Sequence, residues 1–361
     1  MSEPLRVGEL CAGYSGLGLG LAQVLDVQLA WYSEIDPGAS AVLAHRFPGV
    51  PNHGDLTAMD WSQVEPVDVM TAGWPCQPWS QAGKRKGAED ERAIWPYVAA
   101  AIRAVRPRYV LLENVSSIAG AGELARACGD LAAVGYVGSW RCVRASDVGA
   151  PHRRERIFVF AADTAGAGWG FGEPVHVGED SAPAAQRAGE TEPGRRDRVV
   201  ADSAGVGWGE GRPEPARLQR GSDAAVAGDA VTHPDGAGSQ GTVGAEAPNF
   251  DGWLDEPGAV SEQHVAERGD WAGYAPAIHR WETSLGRRAP DPTVLGRRGG
   301  RQLNPVFVEW LMGLPAGWVC DVPGLTRNQK LKVLGNGVVP AQAAAAFRAL
   351  WPLLADVEVA A

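Results

Sequence analysis

The sequence is poor in cysteine and has no long hydrophobic segment. Its 361 residues include only five cysteines, and no two of them form a CxxC pair. Because the cysteines are odd in number and form no CxxC pair, neither a disulfide framework nor a zinc knuckle is indicated. Nowhere do about 18 apolar residues follow one another, and the N-terminal MSEPLRVGEL lacks a basic region before an apolar run. We therefore expect a cytoplasmic protein that binds neither a membrane nor a metal.

The net charge of the chain is −10, which taken alone argues against a polyanionic partner. The charge is unevenly distributed, however. Residues 163–260 contain 17 acidic residues against seven arginines, so the rest of the chain is neutral. Two stretches are locally basic, 141–156 with five arginines and 279–301 with six. The sequence is thus compatible with a nucleic acid that is bound through local patches.

Short apolar runs alternate with helical patterns in the first part of the chain. Strands are predicted at 5–10, 28–33, 67–73 and 108–114. Helices are predicted after the first strand to about Leu25, over 38–46, over 91–105 and near 122–133. A hairpin-like pair of strands is predicted at 136–143 and 156–162. Strands that alternate with helices and short turns are typical of βαβ units. We therefore expect an α/β fold with a mostly parallel sheet.

The pattern changes after the hairpin. Residues 163–300 are rich in glycine, alanine, proline and charge and show little periodicity. Regular patterns return at 303–315, and a closing helix is predicted over 341–354. We therefore predict one domain built from 1–162 and 301–361, with a smaller, irregular domain between the two parts.

A glycine-rich turn follows the first predicted strand, in the sequence GELCAGYSGLGLG from Gly8 to Gly20. A strand, such a turn and a helix start together allow the backbone to approach a nucleotide-like cofactor. Glu34 ends the second strand, where a carboxylate can bind both ribose hydroxyls, and Asp55 follows in position to meet an adenine amine. Ordinary turn glycines and solvated turn acids are the alternative interpretation.

Cys76 lies in a loop, GWPCQPWSQAGKRKG, directly after the third strand. Pro75 and Pro78 restrict the backbone around it, which favours a loop that presents a thiol. The cations at Lys84, Arg85 and Lys86 stabilise a thiolate if they fold close to it. The alternative is that Cys76 is a small buried apolar residue beside a solvated basic loop.

Three charged residues accompany later strands. Glu113 ends the strand YVLLEN, where poor solvation predicts a raised pKa and a role as a proton donor at neutral pH. Arg154 and Arg156 are two residues apart before IFVF, which predicts that they share one face of a strand and reach one target. The alternatives are a helix cap for Glu113 and plain surface charge for the arginines.

Eight blocks of the sequence resemble, in the same order, the successive motifs of DNA (cytosine-5) methyltransferases. They are ELCAGYSGLGLGL, SEID, HGDLT, GWPCQPWSQAGKRKG, LLENV, GAPHRRERIFVF, RQLNPVFVEWLMGLPAGW and KVLGNGVVPAQ. The resemblance covers roughly 1–162 and 301–345. It implies a Rossmann-like, S-adenosylmethionine-dependent methyltransferase fold, with a target-recognition domain in the variable block 163–300.

For catalysis, the resemblance implies that Cys76 adds to C6 of a cytosine flipped out of double-stranded DNA. Glu113 is expected to bind N3 and the exocyclic amine of the base, and Arg156, with Arg154, its O2 atom. The loop that begins at Gln81 is expected to close over the DNA. The residues expected to contact DNA in this region are Gln77, Ser80, Lys84, Arg85 and Lys86.

For the cofactor, the resemblance implies S-adenosylmethionine and no metal. The residues expected to bind it are Cys11, Gly13, Gly16, Glu34, Ile35, Asp55, Ile94 and Asn336. Three of the matched positions depart from the family pattern. Cys11 and Ile35 replace the usual aromatic residues, and Gly337 replaces a common serine.

The predicted function is site-specific methylation of cytosine C5 in DNA by a monomer. A companion restriction endonuclease that acts on the same site and an orphan enzyme of a phage both remain open. A tRNA cytosine methyltransferase is an alternative, although the length of 163–300 favours DNA. A catalytically idle DNA-binding relative is a second alternative, against which Cys76, Glu113 and Arg156 argue. A nicotinamide-dependent dehydrogenase shares the glycine turn, but has no use for the Pro-Cys-Gln loop.

Overall fold

A computed structural model describes residues 3–75, 94–120, 122–166, 271–296 and 299–355 of the chain. The strands are β1 (Leu5–Leu10), β2 (Val27–Ser33), β3 (Val69–Gly73), β4 (Tyr109–Val115), β5 (Tyr136–Arg144), β6 (Glu155–Asp163), β7 (Thr293–Leu295) and β8 (Arg301–Leu303). The helices are α1 (Gly16–Ala22), α2 (Pro37–Arg46), α3 (Trp95–Val105), α4 (Glu123–Ala133), α5 (Ala275–Leu285), α6 (Pro305–Leu311), α7 (Arg327–Asn336) and α8 (Pro340–Ala355). All of the described residues belong to one compact unit.

Six strands form one sheet in the order β2-β1-β3-β4-β6-β5. The pairs β1/β2, β1/β3 and β3/β4 are parallel, whereas β6 is antiparallel to both β4 and β5. β7 and β8 form a separate antiparallel pair. The predicted α/β fold with a mostly parallel sheet is confirmed, and so is the hairpin of β5 and β6.

Helices cover both faces of the sheet, because successive side chains of a strand point to opposite faces. Tyr109 and Leu111 of β4 belong to the hydrophobic core that includes residues of α1, α2 and α8. Val110 and Leu112 of the same strand belong to the core that includes residues of α3 and α4. Both faces of β4 are therefore dry, which explains its unbroken apolar sequence.

Several helices begin where the sequence provides a cap. The side chain of Asp36 accepts hydrogen bonds from the backbone N–H groups of Gly38 and Ala39 at the start of α2, and Pro37 occupies the first turn. Asn304 caps α6 in the same way, by accepting from the N–H group of Val306. These caps fix the direction in which each helix leaves the preceding segment.

One helix lies where the sequence predicts irregular structure. α5 falls within 163–300, and its Trp281 is buried and donates from Nε1 to the carbonyl of Trp310 at 3.0 Å. Trp271 stacks on Phe307 with ring centroids 5.8 Å apart. The prediction of little regular structure therefore does not hold for this part of the chain.

No helix of the described residues is long and apolar enough to cross a membrane.

The carboxyl ends of β1, β3 and β4 lie side by side, since the three strands are adjacent and parallel. In an open α/β sheet this edge is where ligands bind. The loops that leave these strands are the glycine turn, the loop with Cys76 and the turn after Val115.

The contact of α1 with α8 depends on a glycine. A Cβ atom at Gly20 would lie 2.5 Å from the Cβ of Ala343 and 2.8 Å from the carbonyl oxygen of Pro340. Gly129 in α4 is exposed, and a Cβ atom there meets nothing within 4 Å.

Substitution by alanine is expected to have opposite effects at these two glycines. Gly20→Ala is expected to lower the free energy of unfolding by about 1–3 kcal/mol, because the added methyl group would overpack the contact between α1 and α8. Gly129→Ala is expected to raise it by roughly 0.5–1 kcal/mol, because alanine is the better helix former. Urea unfolding of both variants measures the difference. A Gly20→Ala variant as stable as Gly129→Ala would contradict this packing.

Candidate active site and cofactor cleft

A small cleft lies at the carboxyl ends of β1, β3 and β4. Five of the residues predicted from the sequence line it, namely Cys11, Gly13, Gly16, Glu113 and Asn336. The structure therefore brings four predicted cofactor residues and one predicted catalytic residue into a single cleft, although Asn336 is more than 200 positions away from Glu113 in the chain.

The glycine turn has an unusual backbone. Cys11, Gly13 and Ser15 all have positive φ angles, of 50°, 60° and 65°. Such angles suit glycine and are costly for other residues, which persist in them only where the surroundings hold them. Burial raises the pKa of the Cys11 thiol to about 12, so Cys11 is a neutral lining residue of the cleft and not a reactive thiolate.

Glu34 holds this turn from the neighbouring strand. Its carboxylate accepts a hydrogen bond from the backbone N–H of Gly13 at 2.8 Å and another from that of Asp36 at 2.7 Å. Burial raises the pKa of the Glu34 carboxyl, and the two N–H donors partly oppose the shift. The carboxylate that the sequence predicts to bind a ribose is thus hydrogen-bonded to the backbone of the glycine turn.

Asp55, Ile35 and Ile94 lie further out, and none of the three lines the cleft in the part of the chain that the structure describes. Ile35 is 70% exposed. Asp55 accepts hydrogen bonds from the N–H and the hydroxyl of Thr57, which lower the pKa of its carboxyl. Ile94 is half-buried and precedes α3.

The segment that carries Asp55 is nevertheless docked beside Glu34. The side chain of Asn52 accepts from the backbone N–H of Glu34 and donates to its carbonyl, both at 3.1 Å. The hydroxyl of Ser33 donates to the carbonyl of Gly54 at 2.7 Å. These contacts fix the order of the two predicted acids along the edge of the sheet.

The buried Glu113 forms an ion pair with the partly buried Arg156 beside the cleft. Nε of Arg156 lies 2.9 Å from Oε1 of Glu113. Burial raises the pKa of the Glu113 carboxyl, as the sequence predicts, and the charges of Arg156 and Arg154 oppose this shift. A Cβ atom at Gly73 would lie 3.3 Å from Oε2 of Glu113, so the glycine leaves room for the carboxylate. The alternative role as a cap is wrong, because the turn Ser116–Ile118 has no side-chain cap.

Arg154 and Arg156 do not reach one target. β6 begins at Glu155, so Arg154 precedes the strand and the alternation of faces does not apply to it. Its guanidinium donates instead to the carbonyl oxygens of Gly335 and Gly337. The guanidinium groups of the two arginines thus have different hydrogen-bond partners, although the charges of both act on Glu113.

Two polar residues of the cleft were not predicted. Glu9 and Thr71 are buried on β1 and β3, and their atoms Oε1 and Oγ1 have no hydrogen-bond partner among the described residues. Burial raises the pKa of the Glu9 carboxyl from 4.5 to about 8. An acid within the apolar strand LRVGEL is the signal that would have identified it, because buried acids are rare without a partner.

The loop with the predicted nucleophile lies outside the described residues, and so do the predicted DNA contacts Gln77, Ser80, Lys84, Arg85 and Lys86. Its first residues are described. The side chain of Asn114, next to Glu113, donates to the carbonyl of Trp74 at 3.1 Å. Trp74 and Trp95, which flank the segment with Cys76, have ring centroids 5.1 Å apart. Asn114 therefore ties the start of this loop to the strand that carries Glu113.

No group of three or more His, Cys, Asp or Glu residues is placed to hold a metal ion in the described part of the chain.

The raised pKa of Glu9 predicts a pH dependence of stability. Between about 4.5 and 8 the folded protein retains a proton that the unfolded chain releases. The free energy of unfolding therefore falls as the pH rises through this window, by about 1.4 kcal/mol per pH unit from this group. Glu9→Gln removes this slope, whereas Glu3→Gln, at an exposed residue, leaves it. Urea unfolding at several pH values measures how the free energy of unfolding depends on pH. The same pH dependence in the wild type and in both variants would contradict a protonated Glu9.

Comparisons with known proteins identify the family of the chain. The family model described as C-5 cytosine-specific DNA methylase matches residues 5–198. The chain is 33% identical over 173 residues to the type II methyltransferase M.NlaIV of Neisseria lactamica, over 44% of this chain and 41% of that protein. It is 33% identical over 199 residues to the type II methyltransferase M.NaeI of Lentzea aerocolonigenes, over 52% and 46% of the two chains. The matches thus span less than half the length of these relatives.

The solved structure of the Entamoeba histolytica methyltransferase EhMeth has the same fold. It is 15% identical, with a TM-score of 0.53 over 95% of this chain and 96% of that one. Because the family model matches more than half of its residues, this chain belongs to the family of C-5 cytosine-specific DNA methylases.

Proposed function

We propose that the protein is a DNA (cytosine-5) methyltransferase, which transfers a methyl group from S-adenosylmethionine to C5 of a cytosine flipped out of double-stranded DNA. The observation that carries this proposal is that Glu113, ion-paired with Arg156, lines the same cleft as the glycine turn. Glu113, the proposed ligand of the base, is thereby adjacent to the glycine turn, which suits a nucleotide-like cofactor. Membership of the family supports the reaction.

The residues of the cleft fit S-adenosylmethionine. This cofactor supplies an electrophilic methyl group on a sulfonium cation and also carries an ammonium group. The carboxylate of Glu9 has an oxygen without a partner among the described residues, and a buried acid of this kind favours a cationic ligand. Glu34 is the proposed ribose ligand, and the backbone from Cys11 to Gly13 allows close approach. Ile35, Asp55 and Ile94 are the proposed adenine neighbours, with Asn336 at the opposite wall.

Glu113 and Arg156 are proposed to bind the edge of the cytosine. With a raised pKa, the Glu113 carboxyl can donate a proton to N3 and accept a hydrogen bond from the exocyclic amine. Arg156 is proposed to donate to the O2 atom, and its contact with Glu113 supports this proposal. Negative charge that develops on the ring during the reaction is then offset by one acid and one cation.

Cys76 is the proposed nucleophile. Its thiolate adds to C6 of the cytosine, and the electron pair of the C5–C6 double bond makes C5 nucleophilic. After methylation, loss of the C5 proton and elimination of the thiolate restore the aromatic ring and the free enzyme. The hydrogen bond from Asn114 to Trp74 supports this role, because it holds the start of the loop next to Glu113.

The proposed partner is double-stranded DNA. Gln77, Ser80, Lys84, Arg85 and Lys86 are its proposed contacts near the nucleophile, and 163–300 is the proposed target-recognition domain. The relatives named type II methyltransferases support a companion restriction endonuclease that acts on the same site. We propose a monomer in the cytoplasm of a bacterial cell or of a phage-infected host.

The function is tested by expressing the protein in a host without DNA methylation and sequencing the host DNA after bisulfite conversion. Protected cytosines at one recurring site are expected for the wild type and absent for Cys76→Ser. Cys142→Ser, at an exposed cysteine away from the cleft, is the matched control and is expected to protect fully. If neither the wild type nor the control protects any cytosine, the proposal is overturned. If RNA is methylated and DNA is not, the substrate is RNA.

Glu113→Gln tests the role of the acid. The amide has a similar shape but cannot donate a proton to N3 in the manner of a carboxyl group, so the rate of methylation is expected to fall by about 10²- to 10⁴-fold. Affinity for S-adenosylhomocysteine, measured by calorimetry, is expected to change less than about twofold, since a base ligand is not a cofactor ligand. An unchanged rate would contradict the assignment.

A further inference from the structure

Tyr14 fills the space beside Gly337, on the far side of the glycine turn. Its side chain is completely buried and is not part of the cleft lining. A Cβ atom at Gly337 would lie 1.9 Å from Cε1 and 2.2 Å from Cζ of the Tyr14 ring. Gly337 has an ordinary φ of −78°, which any residue adopts. It is therefore the ring of Tyr14, and not the backbone conformation, that requires glycine at 337.

The hydroxyl of Tyr14 connects the turn to the same segment. It donates to the carbonyl of Val338 at 2.7 Å, across 324 positions of the chain. Burial raises the pKa of this hydroxyl, so it remains a donor throughout the neutral range. The carbonyl of Tyr14 in turn accepts from Nε1 of Trp318 at 2.8 Å. Tyr14 is thereby held at both ends, with no freedom to move away from Gly337.

Arg154 holds the segment from the other side. Its guanidinium donates to the carbonyl oxygens of Gly335 and Gly337, which flank Asn336. Asn336, Gly337 and Val338 all line the cleft, opposite Gly13 and Gly16. A Cβ atom at Gly16 would lie 2.5 Å from the carbonyl oxygen of Val338, so the two walls are already in close contact.

We propose that Tyr14 is a positioning residue that fixes the wall Asn336–Val338 of the cofactor cleft, and that Gly337 is the size complement of its ring. The inference rests on the proposed function, since the ligand is S-adenosylmethionine. Tyr14 touches no ligand itself. It acts through the position of Val338 and of Asn336, while Arg154 acts on the same segment rather than on the base. The width of the cleft thus depends on Tyr14, which lies outside its lining, and on the fit of its ring against Gly337, which lines it.

The hydroxyl is tested by Tyr14→Phe against Tyr136→Phe. Tyr136 is the matched control, because it is also buried and donates to a backbone carbonyl, that of Pro107, at 2.6 Å, but lies away from the cleft. Both variants are expected to lower the urea midpoint to a similar extent. Only Tyr14→Phe is expected to weaken the binding of S-adenosylhomocysteine in calorimetry, by about fivefold, as the loss of one hydrogen bond implies.

The size match is tested by a double-mutant cycle. Gly337→Ser alone is expected to weaken binding of S-adenosylhomocysteine at least about tenfold, because the new Cβ atom and the Tyr14 ring cannot both fit. Tyr14→Leu provides room, and the double variant Tyr14→Leu/Gly337→Ser is expected to bind within about threefold of Tyr14→Leu alone.

The outcomes separate this inference from the function on which it rests. A wild-type protein that does not bind S-adenosylhomocysteine overturns the proposed cofactor. If the wild type binds but Tyr14→Phe and Tyr136→Phe are alike, the positioning role of the hydroxyl is wrong. If the double variant shows the full loss of both single variants, the size match is wrong. A Gly337→Ser protein that fails to fold leaves the comparison of the two Tyr→Phe variants to decide.

Discussion

The buried ion pair between Glu113 and Arg156 is the constraint on which the site depends. A carboxylate at the dry end of β4 requires a partner, because an isolated charge there is strongly unfavourable. Arg156 provides it from β6, the strand that runs antiparallel to β4 and lies directly beside it. The reversal of strand direction in this otherwise parallel sheet is therefore what brings a cation to the acid. Glu113 retains a raised pKa nevertheless, since burial outweighs the charge of its neighbours.

The glycine turn and the acid share one cleft because β1, β3 and β4 are adjacent and end at the same edge. The glycine turn is hydrogen-bonded to Glu34, at the end of β2, and through Tyr14 to Val338. The other wall of the cleft is formed by residues from the C-terminal part of the chain. The lining of the cleft alone is thus assembled from four separate stretches of sequence, namely 9–17, 71–73, Glu113 and 336–338. Its shape depends on how closely backbones approach each other, which explains why small residues dominate both walls.

Much of this arrangement is predictable from the sequence. The alternation of apolar runs predicts the sheet, and the position of Glu113 at the end of YVLLEN predicts its burial and its raised pKa. Glu34 is predicted as a ribose ligand at the end of the second strand, and the structure places its carboxylate on the backbone of the glycine turn. Each of these predictions depends on neighbours along the chain or on a general rule of sheet topology.

The remaining features depend on contacts between distant parts of the chain. Arg154 binds carbonyl oxygens 181 and 183 positions away, so its spacing from Arg156 is misleading. Gly337 is explained only by the ring of Tyr14, and α5 only by the core that Trp281 enters. Glu9 could have been found from the polarity of its strand position, but its missing partner is a property of the folded cleft.

The central claim is that this cleft holds a cytosine for attack by Cys76. It is tested most directly by incubating the protein with S-adenosylmethionine and duplex DNA in which 5-fluorocytosine replaces cytosine, because fluorine at C5 prevents completion of the reaction. The account predicts a denaturation-resistant complex, with a methylated fluorocytosine nucleotide attached to the peptide that contains Cys76. The absence of a covalent complex, or attachment to a different residue, would contradict it.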